Sequence, residues 1–197
     1  MADLERAVLA HLRDSGETLR RAESQAPVIA AMAARLTAVF RAGGKLLVFG
    51  NGGSAADSQH FAAELMARFR RNRAPLPALA LTVNTSDLTA ISNDFGYDAV
   101  FERPVRALAR PGDAVVAIST SGNSANVLKA AAAAQELGAA VLGFTGEEGG
   151  KLAPLCVHCL RAPSKTVARI QEVHIAAIHI LCDLVEEALF PDAPKAH

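Results

Sequence analysis

The sequence predicts an α/β protein: a doubly wound, five-stranded parallel sheet with helices on both faces, led by a pair of helices. Three observations predict it. Five short, continuously apolar segments recur at 45–49, 78–82, 114–118, 139–144 and 157–160, and a strand covered by helices on both sides needs such a run. Longer segments with helical spacing separate them, so β and α alternate and the strands run parallel. Finally, 197 residues suit a single hydrophobic core, with no linker or internal repeat, so 1–197 reads as one domain.

Taken in order, apolar residues at helical spacing over 4–19 and 28–40, with Arg and Glu between them, give the N-terminal helical pair, 1–42. The Ala-rich pattern across 22–42 suits close packing against a second copy of the chain. Gly43-Gly44 turns into the first strand, and helix 54–69 follows it. Pro75 and Pro77 punctuate the approach to the second strand. The third strand leads to helix 124–137, the fourth and fifth strands come next, and a last helix runs over 167–189. Beyond Phe190 the tail Pro-Asp-Ala-Pro-Lys-Ala-His reads as frayed.

Composition excludes several function classes. Twenty basic residues balance twenty acidic ones, so bulk charge argues for neither a nucleic-acid nor an anionic-membrane partner. Apolar residues make up 51% of the chain but aromatics only 5%, so Ala, Leu and Val carry the core and helices pack closely. No apolar run reaches the roughly 18 residues that span a bilayer, and acids stand among the first residues where an export signal would carry bases. Three cysteines make no disulfide framework, which points to a reducing cytoplasm.

The first strand runs into Gly50-Asn51-Gly52-Gly53-Ser54 and then a helix, whose N-terminal amides would face an anion. Gly50, Gly52 and Ala55 also satisfy the dinucleotide fingerprint, but no Asp or Glu occurs from Ala74 to Ser86 to hold a ribose. After the third strand, Ser119-Thr120-Ser121-Gly122-Asn123-Ser124 places four hydroxyls before a helix. A helix N-cap explains one of them, Ser124; a tetrahedral anion explains all four. With strand order 2-1-3-4-5 both loops open into one crevice. No Lys follows either loop in the manner of a nucleotide-triphosphate site, so a small phosphorylated metabolite is the expected ligand.

His60 and Glu64 share a helix face, spaced to chelate a metal, to act as an acid/base pair, or simply to pair in solvent. The last helix carries Gln171, Glu172, His174 and His179 in an apolar stretch. His174 reads as a satisfied core residue. Gln171 and His179 are separated by about 12 Å of helical rise, so one metal is reached only if both lean inward or two subunits contribute. Cys156 and Cys159 form C-x-x-C, but they flank Val157 and His158 on an expected strand with no second pair, so neither a metal nor a redox role is read from them.

The segments GNGGSAADSQHFAAEL, ISNDFGYDAVF, AISTSGNSANVLKA and ARIQEVHIAAIHILCDLVE, in this order, resemble the phosphosugar isomerase family, in particular the sedoheptulose 7-phosphate isomerases. The resemblance spans Gly43 to Phe190. It implies a sugar isomerase (SIS) fold, flavodoxin-like, and a homotetramer with active sites between subunits. The implied reaction converts this phosphorylated seven-carbon sugar to D-glycero-D-manno-heptose 7-phosphate at the start of ADP-heptose synthesis. One Zn2+ per subunit falls on His60, Glu64, Gln171 and His179, with Glu64 and His179 as the acid/base pair. Substrate contacts fall on Asn51, Gly52, Gly53, Ser54, Asn93, Asp94, Ser119, Thr120, Ser121, Ser124 and Gln171; for Asp94 an ordinary turn is the alternative. Ala168 stands where some relatives carry an acid. A similar tetrameric regulator binds the replication initiator DnaA without catalysis. That regulator lacks the full His, Glu, His set, so His60, Glu64 and His179 favour the enzyme.

Overall fold

A computed structural model describes residues 1–195. In chain order the elements are α1 (Ala2–Arg21), α2 (Ala26–Arg41), β1 (Leu46–Gly50), α3 (Gly53–Met66), β2 (Ala78–Ala80), α4 (Thr85–Phe95), α5 (Glu102–Leu108), β3 (Ala114–Ile118), α6 (Ala125–Glu136), β4 (Ala140–Gly146), β5 (His158–Ala162) and α7 (Val167–Leu189). The five strands form one sheet in the order β2-β1-β3-β4-β5, every neighbouring pair parallel. Every residue of β1 and β3 is buried.

Strand alternation divides the core into two layers. Leu46 and Val48 of β1, with Val116, Leu142 and Phe144, pack against α2, α3 and α7 through Met32, Leu36, Phe61 and Ile178. Leu47 and Phe49, with Val115 and Val141, face α5 and α6 through Val105, Val127 and Ala131. The small side chains of α6 let it lie close to the sheet, as the low aromatic content anticipates. Burying a Leu or Phe in either layer stabilises the fold by about 2 kcal/mol.

Four expectations need correction. The sequence reading contains neither α4 nor α5. The first has no buried residue, so it lacks a full apolar stripe; it forms because the Asn84 side chain caps it, accepting from the amides of Ser86 and Asp87 at 3.1 and 3.3 Å. The second is only seven residues long. The stretch after Phe190 is docked: the Asn72 amide donates to the Pro194 carbonyl at 2.9 Å, and Arg71 pairs with Lys195 in an antiparallel bridge. The rest of that tail, Ala196 and His197, lies outside the described residues. Lastly, α2 spends its apolar face within the chain, with Ile29, Met32, Ala33 and Leu36 buried in the core.

Candidate active site

Two loops leave the carboxyl ends of the adjacent strands β1 and β3, where a doubly wound sheet presents its crevice. The first needs glycine twice. Gly52 takes φ +56°, a conformation that favours glycine, and a Cβ on Gly50 would lie 2.8 Å from the Ile118 carbonyl oxygen. A Cβ on Gly53 would collide with the Gln171 amide, so α7 lays Gln171 directly on the start of α3. Ser54 is buried in the first turn of α3, its carbonyl accepting from the Ser58 hydroxyl. The amides of Ser54 and Ala55 already serve the turn, donating to the carbonyls of Asn51 and Gly52. Asn51 makes a reciprocal amide pair with Asn126, both bonds 2.9 Å, and accepts from the Tyr97 hydroxyl at 3.0 Å. Asn126 and Tyr97 went unnoticed in the sequence, although both lie within or beside quoted motifs.

The second loop gathers its hydroxyls inward. Ser119 Oγ lies 3.0 Å from Ser124 Oγ and 3.5 Å from Ser121 Oγ. Ser124 stands at the N-cap of α6 yet makes no side-chain cap bond, so capping does not account for its hydroxyl. Ser121 Oγ accepts from the Asn123 amide at 3.1 Å. Thr120 and Ser121 also line a cavity of about 240 Å³ that includes Glu147, Glu148 and Lys165. The two carboxylates there both pair with the Lys165 ammonium, at 3.5 and 3.3 Å.

His60 on α3 and His179 on α7, 119 residues apart in sequence, bring their Nε2 atoms within 2.9 Å. Two neutral rings satisfy this contact only if one donates and the other accepts. Glu64, one turn along α3, puts Oε1 at 3.5 Å from His60 Nε2. Beside His60, burial raises the pKa of Asp57 despite the opposing pull of the imidazole, and its Oδ2 is buried without a hydrogen-bond partner among the described residues. The Phe69 ring stacks on His179, centroids 5.5 Å apart. Phe69, Arg70 and His179 line an adjoining cavity of about 200 Å³.

Glu186 fixes that wall. Its buried carboxylate accepts from the amides of Phe69, Arg70 and Arg71 at 2.8 to 2.9 Å and from Arg73 Nε at 2.8 Å. Burial alone would raise its pKa; the three amides and the Arg73 charge outweigh burial and hold it below the usual carboxylate range. His174 is fully buried, with Nε2 3.0 Å from the Thr145 carbonyl oxygen, but Nδ1 has no hydrogen-bond partner among the described residues, so the expected satisfied core histidine is satisfied at one nitrogen only.

The structure therefore unites His60, Glu64 and His179 and sets Gln171 apart. The seven residues from Gly53 to His60 correspond to about 10 Å along α3, which leaves Gln171 with the first loop. Among the described residues no three His, Cys, Asp or Glu side chains form a ready-made metal cage. Convergent imidazole nitrogens beside a carboxylate nonetheless suit a divalent ion of zinc's character. Asn93 and Asp94 lie exposed at the last turn of α4, hydrogen-bonded to each other at 2.8 Å; this is helix, so the turn alternative for Asp94 is set aside.

The sequence profile of the SIS domain matches residues 10–146. A phosphoheptose isomerase of Rhodospirillum rubrum is 54% identical over 94% of this chain and 99% of its own length. This chain belongs to the SIS-domain phosphoheptose isomerase family. Two solved family structures superpose on it. That of the Neisseria gonorrhoeae phosphoheptose isomerase has a TM-score of 0.89 at 45% identity, covering 93% of this chain and 99% of the other. That from Francisella tularensis has a TM-score of 0.90 at 35% identity, covering 95% and 100%. The family assignment thus spans both loops and the His60, Glu64 and His179 cluster.

Proposed function

We propose that this chain is an aldose–ketose isomerase that converts sedoheptulose 7-phosphate to D-glycero-D-manno-heptose 7-phosphate, opening ADP-heptose synthesis. The observation that carries the reading is the meeting of His60, Glu64 and His179 between α3 and α7, next to the crevice of a chain 54% identical to a phosphoheptose isomerase. Ser119, Thr120, Ser121 and Ser124 hold the phosphate. Asn51, Gly52, Gly53 and Ser54 of the first loop, with Asn93, Asp94 and Gln171, hold the sugar chain.

The reaction removes a proton from the carbon beside a carbonyl and returns one to the neighbouring carbon, with an enediolate between. Glu64 and His179 are positioned to share this work, one taking the carbon-bound proton while the other serves the oxygens. Phe69 shields the His179 ring from water on one face. The Gln171 amide, held on Gly53, is available to donate to a substrate oxygen. When Zn2+ is bound, His60, Glu64 and His179 are the residues to hold it, and it supplies positive charge to polarise the carbonyl. Gln171 joins them only if its side chain leaves Gly53 or a neighbouring copy contributes. We place the enzyme in the cytoplasm as a homotetramer with active sites between subunits; among the described residues no helix is long and apolar enough to cross a membrane. The DnaA-binding alternative has no use for this cluster.

Incubating purified protein with sedoheptulose 7-phosphate and following the sugar by NMR tests the reading. The aldose should accumulate to equilibrium. An unchanged ketose spectrum, with the protein folded and zinc supplied, would overturn it.

A further inference from the structure

Cys156 and Cys159 take no part in the proposed reaction. A strand running through both would send their side chains to opposite faces. In the structure the chain bends at Val157 and β5 begins only at His158, so Cys156 precedes the strand and its thiol folds back toward that of Cys159. Both sulfurs crowd one point on β4. A Cβ on Gly143, which pairs with Cys159, would lie 2.5 Å from Cys156 Sγ and 3.2 Å from Cys159 Sγ. Glycine at this position leaves the space that both sulfurs share. Both cysteines are free and half-buried, Cys156 just before the edge strand β5 and Cys159 within it, whereas Cys182 is buried in the core.

We propose that Cys156 and Cys159 form a reversible dithiol/disulfide site that exchanges with low-molecular-weight disulfides. Cys159 is the entering thiol. The hydrogen bond from Cys156 favours its thiolate; burial opposes this, while Thr145 Oγ1 at 3.6 Å and the Arg161 charge assist, bringing its pKa to about 7. The Cys156 thiol, as donor, is pushed up. The Cys159 thiolate attacks one sulfur of the external disulfide, whose S–S bond breaks. A mixed disulfide forms on Cys159 and one external thiolate leaves. That thiolate takes the Cys156 proton, and Cys156 sulfur attacks Cys159 Sγ, expelling the second external thiolate, which is protonated from solvent. Two protein thiols are oxidised and one external disulfide is reduced to two thiols.

The site lies behind the Ser119 to Ser124 loop. In the dithiol form the single Cys156 thiol proton goes to the Leu152 carbonyl at 3.2 Å, turning to Cys159 once that sulfur ionises; the Leu152 amide donates to the Gly122 carbonyl at 2.9 Å, and the Lys151 amide donates to Asn123 Oδ1 at 3.1 Å. Drawing Cys156 into an S–S bond withdraws its hold on Leu152 and loosens the brace on that loop.

The test equilibrates folded protein with mixtures of oxidised and reduced glutathione, then alkylates and weighs it. The expected product has lost two hydrogens, leaves one of the three cysteines to alkylate, and reverts in excess reduced glutathione. Cys156→Ser should stop at one glutathione on Cys159, and Cys159→Ser should react at least about 10-fold more slowly. In the oxidised wild type, amide exchange at residues 121–123 and 151–152 should become several-fold faster, a readout independent of isomerase activity. Three alkylatable thiols in fully oxidised glutathione, with native circular dichroism, would overturn the site. Equal rates for the two variants would overturn the entering role of Cys159, and unchanged exchange would overturn the link to the loop.

Discussion

At the scale of single residues, the cluster on α3 and α7 separates groups that act by chemistry from groups that act by burial. We propose Glu64 and His179 for the first class, and Glu64→Gln and His179→Gln should each lower turnover by at least about 100-fold while leaving circular dichroism and oligomeric state unchanged. A variant with normal turnover removes its residue from the mechanism. The imidazole pair also sets a metal test. Dialysis against a chelator should strip Zn2+ without unfolding the protein, as expected of an open site, and should cut turnover until zinc returns; full activity in metal-free protein would leave Glu64 and His179 to work alone. His174 belongs to the second class. Burial lowers its pKa from 6.5 to about 4, against the opposing bond to Thr145, so the unfolded chain binds its proton more readily than the folded one. Stability is therefore intact above pH 6.5 and is lost as pH falls toward 4, by up to about 3 kcal/mol. Asp113 and Glu186, both with lowered pKa, are lost further into acid as pH falls through their own folded values. His174→Gln keeps a donor for the Thr145 carbonyl without the titration, and thermal melts between pH 7 and 4.5 should show a flatter dependence for it than for the wild type.

Among elements, the loop after β3 works as a unit because its hydroxyls bond one another instead of capping α6. Ser121→Ala with Ser124→Ala should raise KM by about tenfold or more with a smaller change in kcat, since each hydroxyl lost removes a hydrogen bond to a charged phosphate. Sedoheptulose without its phosphate should bind the wild type poorly; equal affinity for the two sugars contradicts the phosphate assignment. Much of this element was legible. Four hydroxyls in six residues after an apolar run announce a polar loop at the end of a buried strand, and the i, i+4 spacing of His60 and Glu64 announces a shared face. Other features depend on tertiary packing that spacing does not encode. The approach of His179 to His60 arises from how α3 and α7 lie together, and the folding of Cys156 toward Cys159 depends on a bend at Val157. The helix α4 escaped notice because its start rests on one capping side chain, Asn84, instead of an apolar stripe.

For the molecule as a whole, the sheet was the most legible part, because only a strand covered on both sides calls for runs such as Leu46-Leu47-Val48-Phe49 with every residue buried. The strand order then places the loops after β1 and β3 side by side. What one chain leaves unfinished is α1. Leu4, Val8 and Leu12, spaced four apart and so on one face, are 72%, 56% and 64% exposed, and Leu9 beside them is also exposed. The C-terminal half of the helix is tied down, since Thr18 is buried and Arg169 of α7 donates to the His11 carbonyl at 2.8 Å. We propose that this open apolar face, on an anchored helix, meets a second copy of the chain, whereas α2 has already buried its own face within the chain. Oligomer contacts are therefore expected on α1. Light scattering at micromolar concentration should give the mass of four chains, and Val8→Asp with Leu12→Asp should shift it to smaller species, because carboxylates buried at such a contact have no partner. A monomer mass for the wild type, or an unchanged assembly in the double variant, would remove α1 from the interface.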